Sequence, residues 1–327
     1  MLKLLYLGFD GLDPEILLKH RGCAARLRDF AVLRSFSPVP ITGPAWTSLN
    51  TGLKVETHGL NEPWGRVKEG SKTFAELPDF FFWNYLNRAG FKCGVMNVPI
   101  TWPPKVIDGW MVSGPFVPNR KNICSPPDLF DPVKANYYPD MLNEFFEDQY
   151  LCRQWFGRNH FDPLADEPEN MSDYNSPGML KDIGWKVARD MAAAQSDNRR
   201  WGMEMLTLKR PVDCIFYQDS FLDRINHAHA YRPCSYESEV LYDDVEYHIA
   251  WYMKRFPAET TIIVSDHGGH SGHHEDHGVF AIKSPSATPL KTESCNIYDV
   301  LPTTLHAMGI TPPSVDGRIA KIGTDDA

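Results

Sequence analysis

The chain of 327 residues is 43% hydrophobic with a net charge of -9, enough apolar material for a large α/β core. Its surface is too acidic for general binding to nucleic-acid polymers or anionic membranes. No apolar run approaches the roughly 20 residues that cross a bilayer.

The opening "MLKLLYLGFDG" meets Asp10 too early for a secretory leader and lacks a small-residue cleavage site. Seven scattered cysteines without a CxxC pair read as reduced thiols, so a cytoplasmic protein is expected. "KLLYLGFD" (3–10) is a short apolar run, as in a strand covered on both faces, and it ends on Asp10-Gly11. An Asp-Gly pair alone is most simply a turn. Asp13-Pro14 reads as the cap of a following helix.

In "PVPITGPAWTSLNTG" (38–52) a helix is expected to begin near Thr42, with Pro44 suited to its first turn. Thr42 is then either an N-cap or a hydroxyl placed where free N–H groups favour a phosphate. Lys54 and His58 read as helix-end and loop structure. "FFFWNYLNRAG" (80–90) predicts a helix stopped at Gly90, and "KCGVMNVP" (92–99) a strand delivering Asn97 near its end. Trp46, Trp64 and Trp83 read as core, whereas Trp102, just past that strand, is placed to face an apolar part of a substrate. Residues 115–205 break the rhythm, rich in Pro, Asn, Asp, Tyr and Trp with helical pieces, and read as a partly helical cap insertion.

"DCIFYQDS" (213–220) is a third strand, and the following "DSFLDRINHAHA" (219–230) sets Asp223 and His227 four residues apart, on one helical face that can bind one ion or form an ordinary ion pair. Asp219 reads as an orienting or turn residue and His229 as structural. A long helix over 235–256 stops at Pro257. "TTIIVSDH" (260–267) is a fourth strand and opens "SDHGGHSGHHEDHG" (265–278), which holds five of the twelve histidines. Imidazole and carboxylate are the usual ligands of Zn and similar ions, and a strand end fixes the direction of Asp266 and His267. "NIYDVLPTTLHAMGI" (296–310) predicts a last helix.

Strands alternating with helices imply an α/β fold, a doubly wound, mostly parallel sheet with helices on both faces. A single domain over 1–327, including the cap, is expected. In such sheets the ligand crevice lies outside the carboxyl ends of the strands, where Asp10, Asn97, Asp219 with Asp223, and Asp266 with His267 would gather.

"FDGLDP", "TGPAWTSLNTGLKVETHGL" (42–60), "FWNYLNRAGFKCGVMNVPITWPP" (82–104), "DRINH" (223–227) and "SDHGG" (265–269) occur in an order that resembles the alkaline phosphatase superfamily, specifically its type I phosphodiesterase/nucleotide pyrophosphatase branch. The resemblance spans about residues 3–310 and fades between 115 and 205. It implies an alkaline-phosphatase-like hydrolase with two divalent metal ions, usually Zn2+, with Mn2+ or Fe as alternatives. Asp10, Asp266 and His267 would hold one ion, with Thr42 as the nucleophile bridging to it. Asp223, His227 and a late histidine, first His274 and then His277 or His273, would hold the other.

Two departures follow. Nucleotide pyrophosphatases carry an Asn three residues after the nucleophile to bind a phosphate oxygen; here that residue is Ala45, so Asn97 or the backbone N–H groups after Thr42 would take the role. Sulfatases need Cys or Ser at the position of Thr42 and an Arg at that of Trp46, which argues against sulfatase activity. The expected substrate is a small anionic phosphoester. Phosphomonoesterase, phosphonate-ester hydrolase, phosphomutase and a metal-binding non-catalytic relative are the alternatives.

Overall fold

The computed structural model describes residues 1–60, 74, 77–114, 123–129, 185–289 and 291–323. In chain order, β1 (Leu2–Phe9) leads into α1 (Pro14–Lys19), α2 (Arg21–Arg26), β2 (Ala31–Phe36), α3 (Thr42–Thr51) and α4 (Val55–His58). Next come α5 (Phe82–Arg88), β3 (Cys93–Met96), β4 (Gly109–Val112), β5 (Cys124–Ser125), α6 (Trp185–Lys209), β6 (Cys214–Asp219) and α7 (Phe221–His229). The chain continues through α8 (Tyr236–Arg255), β7 (Ala258–Val264), the small hairpin β8 (Gly268–His270) and β9 (His273–Glu275), β10 (His277–Lys283), β11 (Lys291–Asn296) and α9 (Val300–Ala307).

Among the described residues, nine strands form one sheet in the order β11-β2-β10-β7-β1-β6-β3-β4-β5. β7, β1, β6 and β3 are neighbours and parallel, so their C-terminal ends share one edge. β10 runs antiparallel between β7 and β2. The side-chain period of two divides β1 between two cores. Leu5, Leu7 and Phe9 join one cluster with residues of α1, α7 and α8, whereas Leu4 and Tyr6 join the other with residues of α3, α5 and α9. Burial on both faces explains why these strands read as unbroken apolar runs rather than alternating ones. The doubly wound sheet is therefore as expected, with strand and helix ends displaced by one or a few residues.

The expected cap ends differently from its expectation. Residues 185–205 are most of α6, and Ala188, Ala192, Met203 and Leu206 on that helix are buried in the core cluster shared with α7 and α8. Its buried Arg199 lies 3.5 Å from the buried Asp219 carboxylate. This stretch flanks the sheet. Residues 115–122 and 130–184, and Trp64, lie outside the described residues.

His58 is structural, as its position at the end of α4 suggests. Its Nδ1 accepts from the Leu60 N–H at 3.0 Å, so Nε2 carries the proton and faces Ser48 Oγ at 3.0 Å. Burial pushes its pKa down to about 4. The unfolded chain takes up this proton near pH 6.5 and the folded chain does not, so stability contributed here is complete above pH 6.5 and falls as pH drops toward 4. Urea unfolding at pH 7 and pH 5 should show His58 costing about 2 kcal/mol over that interval, a component absent from His58→Gln.

Candidate metal centre and active site

Asp10 is delivered one residue beyond β1, and its placement follows from the strand period. Residues 4, 6, 8 and 10 face α3. At position 8 a Cβ would come within 2.5 Å of the Trp46 ring, so Gly8 lets that indole approach the strand closely. Two residues on, Trp46 Nε1 donates to Asp10 Oδ2 at 3.1 Å. Gln218 Nε2, from neighbouring β6, donates to the same oxygen at 3.2 Å. Gly11 then turns the chain away with φ +74°, and a Cβ there would meet Asp223 Cβ at 3.1 Å. Asp13 Oδ1 caps α1, accepting from Glu15 and Ile16 N–H.

Asp219 ends β6 and turns inward. Its carboxylate accepts from the Phe221 N–H and the Tyr217 hydroxyl and pairs with Arg199 at 3.5 Å. It thereby anchors the start of α7, the helix bearing Asp223 and His227. On that helix Asn226 donates to His273 O at 3.0 Å and accepts from Gly272 N–H at 2.8 Å, pinning the β8–β9 hairpin over α7. Pairing of Gly269 with His274 in the hairpin sets the register. Of the three late histidines, His274 brings Nε2 within 3.2 Å of Asp223 Oδ1. His273 is exposed, and His277 pairs with Asp276.

Two overlapping donor groups result. Asp223, His227 and His274 form one, and Asp10, Asp223 and His267 the other, the ligand atoms of each lying within 4.8 Å of one another. The shared member Asp223 differs from the expectation that Asp266 completes the set of Asp10 and His267. Asp266 Oδ2 instead lies 3.4 Å from His267 Nε2, which is 3.3 Å from Asp10 Oδ1.

The chemistry of these donors fits divalent cations. Asp10 Oδ1, Asp223 Oδ1, both Asp266 oxygens and His267 Nε2 are buried without a hydrogen-bond partner among the described residues, an arrangement that costs free energy unless something compensates it. The imidazoles are oriented from behind: His267 Nδ1 faces Gly268 O at 2.9 Å and His274 Nδ1 faces Pro40 O at 2.7 Å. With Nδ1 donating, Nε2 is the atom each ring turns inward, the orientation of metal-bound histidines once a cation displaces its proton. Burial, then the charges of Asp10 and Asp223, hold the Asp266 carboxyl well above its ordinary range. Burial also raises Asp10, opposed by the nearby His267. For Asp223, burial is outweighed by His227 and His274, which hold it below the ordinary range. The same contact overcomes burial at His274 and lifts it to about 9.

Thr42 is the first residue of α3, whose N-cap is Ile41, and its hydroxyl bonds no other described residue; the N-cap alternative therefore does not hold. Pro40 is held by His274, and Trp46, one turn after Thr42, is held by Asp10. The helix start is thus tied to the donor groups on both sides of Thr42.

The family model of type I phosphodiesterase / nucleotide pyrophosphatase matches residues 4–313. The chain belongs to this family. It is therefore an enzyme of the class that hydrolyses phosphoric ester bonds. No curated protein matches the sequence. Among solved structures, murine ectonucleotide pyrophosphatase/phosphodiesterase 5 is 14% identical with a TM-score of 0.52, covering 97% of this chain and 98% of that one. An inactive threonine-to-alanine variant of the murine protein in complex with AMP gives 14% and 0.53, with the same coverage. The human protein gives 14% and 0.52, with 97% of each chain covered. These likenesses concern the fold.

Within this phosphodiesterase fold, two expected substrate contacts are placed unlike their expectation. Asn97 is fully buried, and its Nδ2 donates to Gln218 O at 2.9 Å with Gln218 Oε1 at 3.4 Å, so the amide expected for a phosphate oxygen points into the protein. Trp102 is partly buried and packs against the core cluster of α7 and α8. Trp46 and Gln218 escaped the sequence reading. A polar Gln inside the apolar run "CIFYQD" was the available signal, since a buried strand amide needs a partner. Among the described residues no helix is long and apolar enough to cross a membrane.

Proposed function

We propose that this chain hydrolyses a small anionic phosphodiester through a phospho-Thr42 intermediate. The observation that carries the proposal is the convergence of unpartnered Asp10, Asp223, Asp266 and His267 atoms beside the Thr42 end of α3. Two divalent ions fit, Zn2+ first and Mn2+ or Fe as alternatives. Asp223, His227 and His274 would hold one; Asp10, Asp266 and His267 would hold the other, with Thr42 directed to it. Bound there, such ions lower the pKa of a hydroxyl and neutralise charge on the attacking and leaving oxygens.

Thr42 Oγ1 loses its proton to solvent and forms a bond to phosphorus, while the bond from phosphorus to the leaving oxygen breaks. Water then attacks phospho-Thr42, releasing the phosphoryl product and restoring the hydroxyl. The Thr42 and Gly43 N–H groups at the start of α3 would face the phosphoryl oxygens and take the role that Ala45 cannot.

A diester is favoured over a monoester because the side chains on Asp10, Asp223 and Asp266 are His, Trp and Gln. Among the described residues, none of these partners is a lysine or arginine that would pair with a second phosphate charge. A single catalytic domain over 1–327 with a cap insertion, and a cytoplasmic location supported by the free buried thiols of Cys23, Cys93, Cys124, Cys214 and Cys295, belong to the same proposal.

The test is a nitrophenyl panel of phosphodiester, phosphomonoester and phosphonate ester, each with and without chelator. The diester should lead by roughly tenfold in kcat/KM, about 1.4 kcal/mol of barrier. A monoester or phosphonate lead would move the assignment to those alternatives. No turnover of any ester by metal-loaded protein would leave the non-catalytic reading.

A further inference from the structure

Asp10 uses its two oxygens unequally. Oδ2 receives two N–H donors, Trp46 Nε1 at 3.1 Å and Gln218 Nε2 at 3.2 Å. Oδ1 receives none from the described residues and lies 3.3 Å from His267 Nε2. Asp10, Trp46 and Gln218 are all buried, so water does not compete for these bonds. A carboxylate oxygen has two in-plane lone pairs, and on Oδ2 both are occupied.

Each donor is itself fixed. The Gln218 amide is oriented by Asn97, whose Nδ2 faces Gln218 Oε1 and so turns Nε2 toward Asp10. The Trp46 ring is fixed by its contact with Gly8. Both donors are neutral, so they hold the carboxylate without cancelling the charge a cation needs.

We propose that Trp46 and Gln218 are positioning residues that occupy Oδ2 of Asp10, so that Asp10 meets a divalent cation through Oδ1 alone. The inference rests on the proposed metal-dependent function. It also gives Asn97 a place, as the residue that sets the direction of the Gln218 amide. A carboxylate free to bind through both oxygens would raise the coordination number and close a position that substrate needs. Partners behind a ligand typically change metal affinity by about 10- to 100-fold.

Cobalt(II) is the probe, because its visible absorption per ion falls as coordination rises from four to five or six. Wild type, Trp46→Phe, Gln218→Leu and the milder Gln218→Asn, whose amide is one methylene too short to reach, are loaded with cobalt. Affinity is measured by competition with a chromophoric chelator. The expected result is weaker absorption per cobalt and about 10-fold or more lost affinity in each variant. A merely structural role would lower the melting temperature of metal-free protein and leave the cobalt spectrum as in wild type. Wild-type spectra with unchanged affinity in the variants that fold would overturn the inference. Failure of wild type to take up stoichiometric cobalt would instead remove the metal-dependent reading beneath it.

Discussion

Replacing Thr42 with alanine should lower kcat/KM for a nitrophenyl phosphodiester by about 10^3-fold or more, as expected for loss of a nucleophile whose partners remain. The fold should be spared. The Thr42 hydroxyl bonds no other described residue and does not cap α3, so truncation breaks no hydrogen bond among them, and the melting temperature should stay within a few degrees. Thr42→Ser keeps a hydroxyl at the same helix start and should retain measurable turnover. Acid quenching of wild type during turnover, followed by peptide mass spectrometry, should find phosphate on Thr42 and none in the alanine variant. Full activity in Thr42→Ala would remove the nucleophile assignment. It would leave the donor groups standing, because Thr42 is tied to them only through its neighbours Pro40 and Trp46.

The parts of this site legible in the sequence are those that local pattern controls. A buried strand is a run of apolar residues, so the first acidic or histidine residue after it stands out, as Asp10, Asp266 and His267 do. Asp223 and His227 are one helical turn apart, which spacing alone reveals. What pattern cannot reveal is direction and long-range contact. Trp46 and Gln218 meet on one oxygen of Asp10 from 36 and 208 residues away. Asn97 ends a strand at the expected edge, yet its side chain turns back to Gln218. The choice among His273, His274 and His277 depends on hairpin register and on the two bonds of Asn226. The polar composition of residues 115–205 hides the start of helix α6 within the expected cap. Its buried Arg199 opposite Asp219 instead binds it to the sheet layer, and a paired buried charge looks in sequence like any surface arginine.

Asp266→Asn should have opposite effects on the two states of the protein: higher stability without metal and loss of stabilisation by metal. Both Asp266 oxygens are buried without a hydrogen-bond partner among the described residues, and Asp10 and Asp223 lie close enough to raise its pKa further. Without a cation, an ionised Asp266 is therefore a buried, uncompensated charge, and a neutral amide of the same shape should recover about 2–4 kcal/mol. The sign with pH follows from proton linkage. A carboxyl raised in the folded state keeps a proton that the unfolded chain releases near pH 3.8. Its contribution is most favourable at low pH and is lost as pH rises toward the folded value. The advantage of Asp266→Asn in chelator should accordingly be small at pH 4 and large at pH 8. Added Zn2+ should stabilise wild type in proportion to the logarithm of its concentration over the dissociation constant and do much less for the variant. Thermal melts at the two pH values, with chelator and with Zn2+, measure all four quantities. Equal melting of the two proteins in chelator at pH 8 would mean that Asp266 is not held as a strained anion. The affinity of the centre would then have to come from Asp10, Asp223 and the histidines alone.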